Sequence, residues 1–173
     1  MSKKNSALIV IDVQNYFLNQ HTKHLPKKIA NFILKNNKKN NSKFYHVLFT
    51  TFVNSKSSNF HKFFGWIKCN SSPDTDIAHE LSKFANSKNI FAKHTFSAFK
   101  SKKLLAFLRK NRVSEVHLCG TDSDACVLAS AYDAFDLGFS VHVIKELCAS
   151  CNNKRFDKIG KAIIARNLEK RPI

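Results

Sequence analysis

The sequence predicts an α/β domain in which a mainly parallel sheet is covered by helices on both faces. Along the 173 residues, five short apolar runs alternate with helical patterns. The first run, ALIVID, is continuous rather than alternating, as in a strand that is covered on both faces. No linker, repeat or composition change divides the chain, so residues 1–173 are expected to form one domain. Strands and helices in alternation imply right-handed βαβ units.

The apolar runs are short enough to be strands, and each is followed by turn residues or by a helical pattern. The third, IFAK, ends at Lys93, and the fourth, EVHLC, runs into a turn that contains Gly120. The predicted strands are residues 7–12, 43–52, 90–93, 115–119 and 140–144.

The helices are predicted from their apolar stripes and from residues typical of helix ends. Pro26 suits the first turn of the first helix, and Ile29, Phe32 and Ile33 share one stripe. Gly138 is a natural carboxyl-terminal stop. Residues 53–75 are expected to be irregular, since Asn, Ser, Gly and Pro interrupt them. The predicted helices are residues 26–37, 76–85, 102–110, about 124–138 and 154–168.

The net charge of +17, from 29 Lys and Arg against 12 Asp and Glu, is high. A nucleic-acid or anionic-membrane surface is one explanation. The basic residues, however, are spread along the chain, and the abundance of Lys, Asn and Phe with little Gly or Pro is typical of A+T-rich coding. A solvated lysine-rich surface is therefore favoured over a nucleic-acid partner. No RNA-binding aromatic signature or zinc module is present.

The remaining composition suggests a cytoplasmic protein. The five cysteines are scattered and odd in number, which is typical of reduced thiols. No apolar stretch reaches the ~18 residues of a membrane span, and no signal peptide is recognised at the start. Neither the Cys148-x-x-Cys151 pair nor the eight dispersed histidines have convincing ligand spacing, so no metal and no cofactor are predicted.

Two charged residues close predicted strands. In parallel sheets the reactive groups lie at the carboxyl ends of strands, so Asp12 and Lys93 can reach one crevice. Burial there would bring Asp12 toward general-base behaviour. Taken alone, Asp12 is equally well explained as a turn or capping residue, and Lys93 as a surface lysine.

Cys126 lies in the stretch CGTDSDACV, where a strand, a tight turn and a helix start follow one another. Backbone N–H groups and the helix dipole would point at its sulfur, which would lower the thiol pKa and prepare an oxyanion site. A free cysteine is more often a small buried apolar residue. The strand–turn–helix context and the two strand-end partners favour a nucleophile. The neighbouring Asp124 is a candidate helix cap.

These residues belong to a pattern that resembles a known family. DVQNYF with Asp12, KHTFSAF with Lys93 and GTDSDACV with Cys126 are similar to the three signatures of isochorismatase-like cysteine hydrolases, in the same order and spacing. The resemblance covers about residues 7–168. It implies a three-layer α/β/α fold with a central parallel sheet, and an Asp–Lys–Cys catalytic triad.

The resemblance also implies a mechanism. The Thr121–Asp122 bond would be cis, and the N–H groups of Asp122 and Cys126 would form an oxyanion hole. Asp12 would take the thiol proton, and Cys126 would attack the carbon of a small amide-like C–N bond, giving a thioester that water hydrolyses. Lys93 would support the negative charge. The expected partner is a small-molecule substrate, and a homo-oligomer is possible.

The segment after the second strand departs from one branch of the family. Nicotinamidases carry an Asp-x-His metal motif there, but this chain has only His61 and no acid. The segment instead resembles a metal-free branch in which it covers the pocket, through Asn54, Asn59, Phe60 and Trp66, although a loop anchored by its aromatics explains these residues equally well. Phe17 and Asp122 are further pocket candidates. Four alternatives remain open: vinyl ether hydrolysis, a nicotinamidase-like amidase, a basic nucleic-acid-binding protein and a catalytically silent family member.

Overall fold

The computed structural model describes residues 5–38 and 41–169. Five parallel strands form the central sheet in the order β5-β4-β1-β6-β7, and two short strands form a separate antiparallel pair, β2-β3. In chain order the strands are β1 (Ser6–Ile11), β2 (Asn37–Lys38), β3 (Asn41–Ser42), β4 (His46–Phe52), β5 (Ile90–Lys93), β6 (Glu115–Gly120) and β7 (Ser140–Cys148).

The helices alternate with the strands of the central sheet. They are α1 (Leu25–Asn36), α2 (Asn59–Phe64), α3 (His79–Ser82), α4 (Lys102–Lys110), α5 (Cys126–Asp136) and α6 (Lys154–Leu168). Single 3-10 turns lie at Asn15–Phe17 and Ala98–Lys100. The predicted α/β architecture with a parallel central sheet is confirmed. No helix within the described ranges is long and apolar enough to cross a membrane.

The centre of the core is β1, which pairs with β4 on one side and β6 on the other. All six of its residues are buried. This position explains the continuous apolar run, because a central strand covered on both faces has no solvent side. Each aliphatic side chain buried there contributes roughly 1.5–3 kcal/mol.

Four local differences separate the structure from the sequence-based prediction. Residues 53–75 are not wholly irregular, because they contain α2, whose first turn is capped by the Ser58 hydroxyl accepting from the His61 N–H. The predicted helix over 76–85 shortens to the single turn of α3. The β7 strand extends to Cys148, with a register irregularity opposite Leu118 and Gly120. The β2-β3 pair was not predicted.

The carboxyl ends of β1 and β6 approach each other closely at Gly120. Its φ of 121° lies in the region that favours glycine, and an added Cβ would lie 2.1 Å from the Ile11 carbonyl oxygen. Only glycine therefore fits at this point. The close approach places the residue after β1 beside the turn after β6.

Candidate active site

The residue after β1 is Asp12, whose carboxylate is held in one orientation. Its backbone has a positive φ of 50°, and its N–H donates to the Thr50 carbonyl oxygen at 3.2 Å. The Thr50 hydroxyl donates to Oδ1 at 2.8 Å, and the Thr121 hydroxyl donates to the Asp12 carbonyl oxygen at 2.8 Å. Asp12 is 1% exposed. Neighbours on β4 and after β6 thus aim the buried carboxylate at the crevice.

Lys93, the last residue of β5, reaches the same crevice. Its Nζ lies 2.6 Å from Asp12 Oδ2 and donates to the Thr95 carbonyl oxygen at 2.7 Å. It also donates to Cys126 Sγ at 3.4 Å. The ammonium group lies 5.1 Å from the centre of the Phe52 ring. A buried lysine with this set of partners is not the surface lysine of the alternative explanation.

Cys126 is the first residue of α5, directly after the turn that follows β6. The Thr121–Asp122 peptide bond is cis, as the resemblance implied. Within this turn the N–H groups of Ala125 and Val127 both donate to the Asp122 carbonyl oxygen, at 3.1 and 3.0 Å. Within the described ranges, the N–H groups of Asp122 and Cys126 donate to no backbone acceptor of this turn.

Burial raises the pKa of the Cys126 thiol, and the Asp12 charge raises it further, while Lys93 acts in the opposite direction. The expectation of a lowered thiol pKa is therefore wrong for the resting site, because desolvation outweighs the cation and the helix start. For Lys93, burial acts to lower the pKa, but Asp12 and Cys126 reverse it, and the net direction is upward. The resting site thus combines a thiol with a lysine ammonium group.

The turn at residues 121–125, called the nucleophile turn here because it precedes the candidate nucleophile Cys126, rests on α6. An added Cβ at Gly160 would lie 2.6 Å from the Ser123 carbonyl oxygen, so this helix packs against backbone with no side chain between. The Ser123 hydroxyl donates to Asp157 Oδ1 at 2.7 Å. Asp124 does not cap α5, because the helix starts at Cys126 and no side chain caps it. Gly160 gave no signal in the sequence, where it is an isolated glycine within a helical pattern.

Asp122 belongs to the nucleophile turn, and its side chain reaches the segment after β7. Its carboxylate accepts from the Cys151 N–H at 2.8 Å and from the Cys151 thiol at 2.9 Å. Burial raises the pKa of Asp122 to about 6, although both bonds from Cys151 act to lower it. Burial, followed by the Asp122 charge, also raises the pKa of the Cys151 thiol. The pairing with Cys151 fixes the Asp122 side chain, and the described residues show no redox partner for Cys151, since all five cysteines are free.

An aromatic cluster lies beside the Lys93 ammonium. The Phe52 and Trp66 rings stack with centroids 5.3 Å apart and an interplanar angle of 19°. Phe17 approaches Phe52 edge-on at 6.5 Å, and Phe60 packs edge-on against both Phe52 and Trp66. The structure therefore gathers the predicted Phe17 and Trp66 around Phe52, a residue that the sequence reasoning missed.

Gln14 was also missed, although it is a buried polar residue only two positions after Asp12. Its amide nitrogen donates to the Phe52 carbonyl oxygen at 3.0 Å, and its amide oxygen accepts from the Phe52 N–H at 2.7 Å. The Gln14 amide thus makes the two hydrogen bonds to the Phe52 backbone that a neighbouring strand would otherwise make at the end of β4. The polar third position of DVQNYF was the signal available in the sequence.

Asn54 anchors the segment rather than facing the crevice. Its amide nitrogen donates to the carbonyl oxygens of Trp66 and Lys68, at 2.7 and 3.2 Å. Its amide oxygen accepts from the Ser55 N–H and the Ser58 hydroxyl. With every polar atom of the amide engaged, the loop-anchor explanation accounts for Asn54 without a substrate contact.

A cavity of about 490 Å³ adjoins these elements. The segment after β5, the helix α2 and the second turn of α5 line it, including Thr95, Phe60 and Ala129. Asp12, Lys93 and Cys126 are not among the lining residues. The cavity therefore borders α5 and the segment after β5, which adjoin Cys126 and Lys93. It does not include the reactive atoms of Asp12, Lys93 or Cys126.

The residues beside the triad do not match the nicotinamidase metal motif. From 53 to 73 the chain contains one histidine, His61, and no carboxylate. His61 lines a separate cavity with Asn54, Lys56 and Asn70. This segment therefore lacks the carboxylate that the motif needs.

Comparison with known proteins places this geometry in context. The isochorismatase domain family model matches residues 6–164. Nicotinamidase 3 of Arabidopsis thaliana is 30% identical over 161 residues, covering 88% of this chain and 77% of that protein. An uncharacterized isochorismatase family protein of Bacillus subtilis (strain 168) is 40% identical over 62 residues, 36% of this chain and 34% of that protein. The solved pyrazinamidase/nicotinamidase of Streptococcus mutans UA159 superimposes with a TM-score of 0.79 and 25% identity, over 95% of this chain and 97% of that chain.

Proposed function

The chain belongs to the isochorismatase family, and we propose that it is a cysteine hydrolase that cleaves a small amide-like C–N bond. In this proposal Cys126 is the nucleophile, Asp12 the general base and Lys93 the supporting cation. The observation that carries it is the buried convergence of the three side chains, with Lys93 Nζ 2.6 Å from Asp12 and 3.4 Å from Cys126.

The first half-reaction begins with a neutral thiol. Because burial raises the pKa of Cys126, the thiol keeps its proton until substrate is in place. Asp12 then takes that proton while the sulfur attacks the carbonyl carbon, so the thiolate charge never has to persist in the buried site. Lys93, already paired with Asp12, compensates for the negative charge that passes through the crevice.

The oxyanion that forms on attack would be bound by the N–H groups of Asp122 and Cys126. Preorganised backbone donors at such a position typically contribute about 2.7–4 kcal/mol each to the transition state. Asp12 returns its proton to the leaving nitrogen as the C–N bond breaks, which gives an amine or ammonia and a thioester on Cys126. Asp12 then activates water for hydrolysis of that thioester.

The aromatic cluster supports a small, partly planar substrate. Phe52 lies 5.1 Å from the Lys93 ammonium, and Phe17 and Trp66 pack against the Phe52 ring. An aromatic wall at this position favours an apolar or ring-bearing acyl group. We expect small aromatic or heteroaromatic primary amides to be better substrates than peptides.

Nicotinamide is the first amide to test, since a protein named nicotinamidase is 30% identical over most of this chain. The segment from 53 to 73 argues against a metal-assisted version of that reaction, because its residues supply no carboxylate. The metal-free mechanism above would therefore have to suffice. We also propose a reducing compartment such as the cytoplasm, because five free thiols suit it.

The experiment that tests this function is a quenched reaction with a panel of small amides. Intact-mass measurement should detect an acyl adduct during turnover, and peptide mapping should place it on Cys126. The Cys126→Ala protein should form no adduct. Cys148→Ala is the control, since it removes a thiol that bonds to the Ile144 carbonyl oxygen, away from the three proposed catalytic side chains, and should keep the adduct. Turnover without any adduct on Cys126 would contradict the proposal.

A further inference from the structure

A second cluster of metal-ligating side chains lies at the opposite end of the sheet from Cys126. Within residues 5–38 and 41–169, one group of His, Cys, Asp or Glu side chains is compact enough to share an ion: Glu115, His117 and His142. His117 and Thr121 of the nucleophile turn are four residue steps apart along extended chain, a distance of about 13 Å. This cluster therefore belongs to neither the triad nor its supporting turn.

The sheet itself brings the three side chains together. Successive residues of a strand point to opposite faces, so Glu115 and His117 lie on the same face of β6. In the parallel register His117 is paired with His142 of β7. No ligand spacing is visible in the sequence, because the two histidines lie 25 positions apart along the chain.

The candidate ligand atoms already lie close to the separations that they would have from one another around a single bound ion. His117 Nε2 is 2.8 Å from Glu115 Oε1, and His142 Nε2 is 3.9 Å from Glu115 Oε2. The two imidazole rings stack with centroids 4.8 Å apart and an interplanar angle of 18°, and one ligand atom from each residue lies within 4.8 Å of the others. In a tetrahedral zinc site with bonds of about 2.0–2.1 Å, ligand atoms are roughly 3.3 Å apart. The two nitrogen-to-oxygen distances, 2.8 Å and 3.9 Å, lie on either side of that value.

The chemical state of the cluster also suits a cation. The His117 side chain is 11% exposed, and its Nε2 faces the Glu115 carboxylate at 2.8 Å, so one imidazole nitrogen is already directed at the space between the three side chains. The His142 side chain is 50% exposed and can adjust by rotation. Two imidazole nitrogens and a carboxylate oxygen are donors that suit zinc better than calcium or magnesium.

We propose that Glu115, His117 and His142 form a Zn²⁺ site that joins β6 to the edge strand β7. Three protein ligands leave a fourth position for water. The site lies far from the proposed nucleophile, so its role is to hold the amino-terminal end of the edge strand rather than to assist hydrolysis. Nothing in this proposal depends on the identity of the substrate.

The test uses tag-free full-length protein that has been stripped with a chelator and titrated with Co²⁺, a spectroscopic substitute for Zn²⁺. We expect one equivalent of tetrahedral Co²⁺, seen as its visible absorption bands and displaced by Zn²⁺. His142→Ala should weaken Co²⁺ binding at least tenfold. His61→Ala, which removes a histidine elsewhere, should bind as wild type does.

Thermal unfolding supplies a second readout, since a ligand that binds the folded state raises Tm. Zn²⁺ should raise the Tm of wild type and of His61→Ala but not of His142→Ala. Glu115→Gln repeats the test without removing a ring. Equal Co²⁺ affinity in His142→Ala and wild type would overturn the proposal. Sulfur-to-metal charge-transfer bands would also overturn it, because they would assign the ion to cysteines.

Discussion

Asp12 directly follows β1 and Lys93 ends β5, two strands that are not neighbours, yet their side chains form a 2.6 Å ion pair with exposures of 2% and 0%. The strand β4 lies between β1 and β5, so both side chains extend across its carboxyl end to meet. Removing two charges from water is costly unless they pair well. A buried charge that has lost its partner destabilises the folded protein strongly. The pair is therefore structural support as well as proposed machinery.

Lys93→Met should destabilise the protein by about 3–5 kcal/mol, because it leaves the Asp12 carboxylate buried without its cation. Lys100→Met is the control, since the Lys100 side chain that pairs with Asp133 is 62% exposed and pairs with an exposed lysine contribute about 0–1 kcal/mol. Denaturant unfolding of both variants measures the difference. Equal free energies of unfolding for the two would mean that the buried pair is not formed in solution.

Limited alkylation should modify Cys126 before the other four cysteines. Cys69, Cys119 and Cys148 are buried, and the partly exposed Cys151 thiol is held by the Asp122 carboxylate. Because the ammonium group lowers the pKa of Cys126, Lys93→Met should move half-maximal labelling to higher pH. Peptide mapping across a pH series checks both points. Preferential labelling of another cysteine, or an unchanged titration in the variant, would contradict them.

Stability should depend on Asp122 between about pH 4 and pH 6. Its folded pKa, about 6, lies above the ordinary 3.8, so its contribution is complete below pH 4 and is lost as pH rises through 6. Over that interval wild type should lose stability relative to Asp122→Asn. Unfolding curves at several pH values measure the difference, with the exposed Asp136→Asn as control. A difference that does not change with pH would be the contrary result.

Gly160→Ala should reduce activity at least tenfold and lower stability by about 1–3 kcal/mol. The added methyl would overlap the Ser123 carbonyl and the Asp124 backbone, which displaces the nucleophile turn. Lys158→Ala changes an exposed position of the same helix and should leave both properties unchanged. Turnover and Tm are the measurements. A fully active Gly160→Ala enzyme would show that α6 does not hold the turn in place.

The sequence predicted the fold and the meeting of Asp12, Lys93 and Cys126, because parallel strands bring their carboxyl ends to one edge. Residues whose roles depend on cross-strand register were missed. Thr50, Gln14 and Phe52 act through partners that only the pairing of β1 with β4 defines.

The expectation that the pKa of the Cys126 thiol is lowered was also wrong because it rested on local pattern alone. A helix start beside a lysine suggested a lowered thiol pKa, but the depth of the crevice is not readable from residue types, and burial dominates at Cys126. Similarly, Glu115, His117 and His142 meet only because β6 and β7 are adjacent and in register. The burial of Cys126 and the meeting of these three side chains both depend on how distant parts of the chain pack together, which the local sequence pattern does not show.

The central claim, that Asp12, Lys93 and Cys126 act as one unit, is tested most directly by a kinetic double-variant cycle. Turnover of one amide is measured for wild type, Cys126→Ala, Asp12→Asn and the double variant. Each single variant should lose about a thousandfold or more in kcat, and the double variant should be little worse than Cys126→Ala alone, because groups in one catalytic unit are not additive. An active Asp12→Asn enzyme, or losses that multiply in the double variant, would contradict the account.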